Sequence, residues 1–379
     1  MGETLLSISN FEGRDARRLF LKILAFVPII LFVGVVNFYI DPLGLYRKEA
    51  DPYQRDEYKI AQALVQGKNV ELFQGDKDDR LVQKYFVENM TTVPDVVILG
   101  SSHSMWLGDN IFVNEKVVNH SVLGAILADY LGIFEGYAKK NVFPKRVICV
   151  LDPQLTIFPV TSQRWISIKE DVNSMLGRLG IHSEKINAPA VSQAWLNIFS
   201  FSYFQEAMDE LYQGNHVQGY RVTQAINGKY LMFKDGRCWP GFFFKHPEKN
   251  RRRMIRELNQ GLYGPQMKPD KELGDILEKF IRYLTAQHIR VTLCLLPIHP
   301  QMYKSFLKPQ KRQGGLDIAS LEQNYRDLAK KLNLEIVGSY DPAACNLDGK
   351  DFYDGEHIKN DVIEKIFKQK ASPCFMPGI

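Results

Sequence analysis

Cysteine is scarce in this chain. Five occur in 379 residues, with no CxxC pair and no zinc-type spacing, which excludes a structural zinc module. Cys149 and Cys294 lie in apolar, strand-like runs and are expected as small buried hydrophobes. Cys238, Cys345 and Cys374 sit in loop-like context, where the sequence pairs none of them. The scattered histidines and acids form no metal set. A nucleic-acid recognition module and a repeated basic-aromatic pattern are also lacking, and a net charge of +5 is mild for this length, so nucleic acid is set aside as a partner. That charge fits an anionic surface, an anionic substrate or plain solubility.

What the chain does have is 45% hydrophobic and 12% aromatic residues, enough for a packed core of one large or two ordinary domains. The run 19–40 is apolar apart from Lys22 and Asn37, and is long enough to span a hydrocarbon core of about 30 Å. Arg14, Arg17 and Arg18 precede it. The expectation is a transmembrane helix at 19–40, with a cytoplasmic N-terminus at 1–18 and an extracytoplasmic remainder. A cleaved signal peptide and a buried core helix are the rival readings; no small-x-small site precedes Asp41-Pro42. Residues 41–94 read as a polar juxtamembrane segment with short helical stretches at 57–64 and 80–87, to which no chemistry is assigned.

From Asp95 strand and helix signals alternate. Strands are expected at 96–99, 116–119, 145–151, 290–296 and 334–337, and helices at 125–138, 273–286, 321–331 and 357–367. This succession predicts an α/β domain over 95–370, with a mostly parallel five-stranded sheet covered by helices on both faces, and a short tail at 371–379. An insertion at about 155–264 interrupts it. It carries aromatic clusters at Tyr203-Phe204 and Trp239-Pro240-Gly241-Phe242-Phe243-Phe244, followed by Lys245-His246 and Arg251-Arg252-Arg253. These suit a lid or groove, or a helical excursion packed on the main domain.

Ligands of such sheets gather beyond the carboxyl ends of the strands. The first strand there runs into Gly100-Ser101-Ser102-His103-Ser104, and Asp354-Gly355-Glu356-His357 follows the fifth. Together these motifs hold a serine nucleophile, Ser102, a histidine base, His357, and an aspartate orienter, Asp354. Each also has a plain reading: a serine-rich turn, a histidine at a helix start, and an Asp-Gly surface turn. Asn119, Asp152 and His299 fall at the same sheet edge and are candidate substrate contacts, as is His103 beside the serine. Ser104 is a poorer nucleophile candidate, and His120 a weaker participant.

The pattern resembles the GDSL, or SGNH, family of serine hydrolases and acyltransferases, from Asp95 to the last helix. Gly100-Ser101-Ser102 corresponds to the first block, with Ser101 in the usual aspartate position, and Asp354 to His357 corresponds to the last. The fold the resemblance implies is an SGNH-hydrolase-like three-layer α/β/α domain. Asn119 to Gly124 resembles the second block, which implies that the Gly124 amide joins the Ser102 amide in an oxyanion hole. The third block departs from the family, having Asp152-Pro153-Gln154 in place of an asparagine. Ionised Asp152 cannot donate, and Gln154 donates only with its side chain turned inward.

With the expected anchor, the likeness is to membrane-anchored, DltD-like members and related proteins of cell-envelope polysaccharide modification. It implies an extracytoplasmic serine acyltransferase or esterase acting on O-acyl groups of an envelope polysaccharide or glycolipid through an acyl-serine intermediate. Its expected partners are that glycan, a multispanning membrane O-acyltransferase and the lipid bilayer, with no cofactor required. The alternative is a non-catalytic assembly or substrate-recruiting subunit, favoured by the atypical third block.

Overall fold

The structure is a computed structural model that describes residues 13–40, 53, 55–72, 77–112, 114–156, 164–182, 186, 198–201, 204–205, 207–208, 211, 219–224, 230–239, 241–260, 269–307 and 317–368. Residues 1–12, Tyr203, Pro240, Cys374 and the tail at 371–379 lie outside these. In chain order the elements are α1 (Gly13–Ile40), α2 (Asp56–Val65), β1 (Asn69–Leu72), α3 (Asp79–Asn89), β2 (Val96–Leu99), β3 (Val117–Asn119), α4 (Leu127–Lys140), β4 (Arg146–Val150), α5 (Lys169–Arg178), β5 (Tyr220–Thr223), β6 (Leu231–Met232), β7 (Cys238–Trp239), α6 (Gly241–Phe244), α7 (Pro247–Asn259), α8 (Lys271–Ala286), β8 (Arg290–Leu295), α9 (Pro300–Phe306), α10 (Ile318–Leu332), β9 (Glu335–Gly338) and α11 (Asn360–Lys368).

Two compact units result, one of Met1–Pro52 with Pro189–Gln218, the other of Tyr53–Ala188 with Gly219–Ile379. In the first, the buried Asn37 donates from Nδ2 to the carbonyls of Ile198 (2.7 Å) and Ser200 (3.0 Å). The membrane crossing expected at 19–40 falls within α1 and is corrected: among the described residues no helix is long and apolar enough to cross a membrane. The single-pass topology with a cytoplasmic N-terminus is withdrawn with it.

The second unit is built on a parallel sheet in the order β3-β2-β4-β8-β9. β2 pairs with β3 and β4, β4 with β8, and β8 with β9, all parallel. Because side chains alternate along a strand, each strand feeds two cores. Val97, Leu99, Val147, Cys149, Val291 and Leu293 join a cluster with α4, α8 and α10. Val96, Ile98, Ile148, Val150, Cys294 and Val337 join a second cluster with Leu107, Phe112, Phe352 and the apolar face of α11. Both faces of the sheet are thus sealed, as near-continuous apolar strands require. Helix ends follow local chemistry. Asp270 caps α8 by accepting from Glu272 N and Leu273 N, and α4 and α10 stop at left-handed Asn141 and Asn333, a conformation asparagine tolerates.

A second sheet, in the order β5-β1-β6-β7, is antiparallel and was not expected from the sequence. The segment to which no chemistry was assigned supplies α2, β1 and α3, whose Ile60, Leu64, Leu81, Val82 and Phe86 are buried. The hairpin β6–β7 turns at Asp235-Gly236, where Phe233 N donates to the Arg237 carbonyl at 2.8 Å and Gly236 has φ +82°. A Cβ on Gly236 would overlap the Asn119 carbonyl oxygen. Gly236→Ala therefore combines a left-handed backbone with a backbone clash, and is expected to lower unfolding free energy by about 1–3 kcal/mol, read as a shift in a denaturant melt. Of the cysteines, Cys149, Cys238 and Cys294 are buried and free, and Cys345 is disulfide-bonded.

Candidate active site

The chain leaves β2 at Gly100, whose Cβ position is filled by the Ser104 and Ser121 hydroxyls; only glycine fits there. Ser101 Oγ then accepts from His103 N at 3.3 Å, and Ser104 N donates to the Ser101 carbonyl at 3.1 Å. These bonds wind Ser102–Ser104 into a short 3-10 turn. Ser101 and Ser104 are buried, and Ser104 shares a 2.8 Å bond with Ser121. Ser102, between them, is half-buried. Burial thus leaves Ser102 as the accessible hydroxyl of the motif.

The last motif approaches from the loop between β9 and α11. Asp354 Oδ1 accepts from the backbone N–H of Glu356 (2.8 Å) and His357 (2.9 Å), closing a tight turn. The same carboxylate meets His357 Nδ1, at 2.9 Å through Oδ2. His357 Nε2 lies 2.9 Å from Ser102 Oγ. The final helix begins at Asn360 rather than at the expected His357, because the Asp354 turn and the bond from Tyr353 N to the His357 carbonyl, at 2.8 Å, hold His357 outside it. Burial alone would raise the Asp354 carboxyl, but the His357 hydrogen bond and charge and two backbone donors bring it down to about 2. It is therefore ionised at neutral pH. Nδ1 of His357 is the nitrogen that faces an anion and carries the proton, which leaves Nε2 to accept from Ser102.

Strand order places this site. β2 has β3 on one side and β4 on the other, so the connections diverge at its carboxyl end and open a crevice there. The loop after β3 is tied to that end: His120 N donates to the Ile98 carbonyl at 2.8 Å and Val122 N to the Gly100 carbonyl at 3.1 Å. Gly124 lies exposed in this loop with φ +57°. A half-buried and a buried acid hold its flanks, since Asp79 Oδ2 accepts from Leu123 N (2.6 Å) and Asp129 Oδ2 from Ile126 N (2.8 Å). Arg80, with no exposed surface, joins them by pairing with Asp79 at 2.7 Å and Asp129 at 3.0 Å. Removing one member of a buried ion cluster strands the others. Arg80→Met is accordingly expected to cost about 3–5 kcal/mol of unfolding free energy, measured by urea titration.

The remaining sequence candidates divide by environment. Asn119 is fully buried, its amide donating to the carbonyls of Ser104 and Leu107, both at 2.7 Å, while its oxygen accepts from Ser121 N at 2.7 Å. It shapes the Ser102 turn from behind. His299 is buried, caps α9 by accepting from Gln301 N at 3.2 Å, and holds the 354–357 loop through its backbone N–H to the Gly355 carbonyl at 2.9 Å. His120 bridges Gln83 and Tyr137 inside the core, where burial depresses it to about 3. Gln154 is exposed. Asp152 is buried, with Oδ1 2.6 Å from His103 Nδ1 and Oδ2 without a hydrogen-bond partner among the described residues. From the insertion, Phe244 lies 5.1 Å from the His357 ring and stacks at 4.5 Å on Tyr353, with Trp239 against both.

Sequence reasoning missed Arg80, Asp79, Asp129 and Glu356. The signal for Arg80 was an arginine on the apolar stripe of the helix at 80–87, where a buried charge demands partners. Glu356 stood inside the quoted motif, but its partner is distant in sequence. Among the described residues, no group of three or more His, Cys, Asp or Glu side chains could hold a metal ion.

Comparison with known proteins adds little. No family model matches the chain, and no curated protein does. A solved structure provisionally described as a platelet activating factor from Streptococcus pneumonia is 10% identical, over 81% of this chain and 94% of that one, with a TM-score of 0.33. A likeness so weak carries no argument, so membership of the GDSL or SGNH family and a DltD-like role are withdrawn. With them goes the extracytoplasmic, membrane-anchored acyltransferase or esterase of envelope polysaccharide or glycolipid, together with its non-catalytic alternative. What stands is an α/β domain with a parallel five-stranded sheet and a hydrolase-like His–Asp pair at its carboxyl edge.

Proposed function

We propose that the protein is a carboxylic-ester hydrolase in which the Ser102 hydroxyl attacks the substrate carbonyl. A serine hydroxyl is unreactive at neutral pH until a base in hydrogen-bond reach takes its proton during attack. His357 is that base, and Asp354 holds its tautomer and stabilises the imidazolium that forms. The backbone amides of Ser102 and Gly124 serve the charge developing on the carbonyl oxygen. The observation that carries this reading is the unbroken chain from a half-buried serine through His357 Nε2 (2.9 Å) and Nδ1 to Asp354 (2.9 Å).

The test is reaction of the full chain with a fluorophosphonate probe, followed by peptide mass mapping, beside hydrolysis of short-chain p-nitrophenyl esters. A single adduct on Ser102 and ester turnover blocked by the probe are expected. Ester turnover with the adduct on another residue, or with none, overturns the assignment. Glycerol added as a competing hydroxyl acceptor separates hydrolysis from acyl transfer by its products.

A further inference from the structure

Beside the Asp354–His357 pair stands a second histidine held by carboxylates. His103 directs Nδ1 at Asp152 Oδ1, 2.6 Å away, and Nε2 at Glu356 Oε2, 3.4 Å away. Its ring meets the His357 ring nearly edge-on, with centroids 5.2 Å apart and planes at 83°. Three pieces of chain converge on this ring: the nucleophile turn that carries it, the end of β4 through Asp152, and the catalytic loop through Glu356. A neutral imidazole has one donor and one acceptor, and would set a lone pair against one of the two anions. Only the imidazolium donates to both.

We propose that His103 is a positioning residue, an imidazolium that grips Asp152 with one ring nitrogen and Glu356 with the other and so fixes the 354–357 turn against Ser102. The inference rests on the hydrolase reading for its kinetic consequence, although the clamp itself is a matter of protonation and geometry. Glu356 is the residue before the base, and its N–H already belongs to the Asp354 turn. Holding its side chain therefore holds the backbone from which His357 reaches Ser102. Displacing a base by about 1 Å can cost 10²-fold in rate.

The charges around His103 agree with this assignment. On its own turn are Ser101, Ser102 and Ser104, which are uncharged. From the catalytic loop come Glu356, Asp354 and His357, and from the end of β4 comes Asp152. Tyr130, Tyr325, Tyr340 and Cys294 lie in electrostatic reach of Asp152, and burial raises all four, so they add no charge. Burial pulls His103 down, but the Asp152 charge and bond, then Glu356, hold it well above the ordinary histidine value. Burial pushes Glu356 up, and the His103 bond and charge bring it below the ordinary value. A histidine raised on folding stabilises the protein fully below its unfolded value, and that contribution is lost as pH rises through the folded one. Turnover with a fixed catalytic turn therefore requires His103 charged, which makes kcat/KM fall as pH rises through the folded value of His103.

Three measurements on the full chain test the clamp. Nitrogen-15 spectra of its imidazoles should show two N–H groups on His103 at pH 7.5, a value chosen about one unit above the ordinary histidine pKa, and Glu356→Gln should move the loss of this doubly protonated state to lower pH. The descending limb of kcat/KM should move with it. His103→Gln, which keeps one donor but turns an acceptor on the other carboxylate, should lower kcat/KM about 10²-fold and abolish that limb. A single N–H on His103 at that pH, or a descending limb untouched by both variants, overturns the proposal. The fluorophosphonate adduct on Ser102 reports separately on the hydrolase reading, because the imidazole signals are read whether or not the site turns over.

Discussion

Ser102→Ala is expected to lower ester hydrolysis by about 10⁴–10⁶-fold and to abolish the fluorophosphonate adduct. The effect is large because nothing nearby can take over. Ser101 and Ser104 are buried and committed to the turn, Ser101 accepting from His103 N and Ser104 bonding to Ser121. His357 Nε2 meets Ser102 Oγ at 2.9 Å. The substitution removes one half-buried hydroxyl, leaving both sheet clusters intact, so the melting curve should stay within about 0.5 kcal/mol of the wild type. Loss of activity together with a broad loss of stability would instead mean that Ser102 is part of the turn's scaffold. Retention of turnover would transfer the chemistry to another group altogether.

The second large effect belongs to Asp354. Asp354→Asn is expected to lower kcat by about 10⁴-fold with little change in KM, because an amide presents the wrong partner to Nδ1 and no longer matches the charge His357 acquires in the transition state. The side chain also ends the turn by accepting from Glu356 N and His357 N, and the amide oxygen of asparagine can keep those bonds. Comparison with Asp354→Ala therefore separates tautomer control from loop geometry: the alanine variant should lose both activity and order in the 353–357 loop. Because Asp354 stays ionised down to about 2, its contribution to stability is present above the unfolded carboxylate value and is lost only as pH falls through that low value. An Asp354→Asn variant that keeps its kcat would sink this division of labour.

The parallel sheet was legible because buried strands write themselves as short apolar runs ending in polar turns. Val96–Leu99 and Arg290–Leu295 stand almost where the runs end. The meeting of Ser102, His357 and Asp354 at one edge was legible for a related reason, since residues after successive parallel strands share one edge whatever separates them in the chain. The second sheet escaped because β6 and β7 are two residues each, too short for a period to register, although Asp235-Gly236 between them is a hairpin signal. Apolar composition alone misled at α1, where residue type was read as lipid contact. His103 was the hardest to read. Adjacency to Ser102 said nothing of Asp152 and Glu356, which come from other strand ends, and a role that consists of joining three chain segments has no local signature.

The bond between Ser102 and His357 joins residues separated by 255 positions. Ser102 follows the first strand of the parallel sheet, whereas His357 waits on β9, an edge strand with β8 as its single neighbour in the sheet. During synthesis Ser102 thus leaves the ribosome well before its proposed base exists. Opening of the β9 edge in the folded protein is expected to have the same effect, parting the two residues while the strands around Ser102 remain assembled.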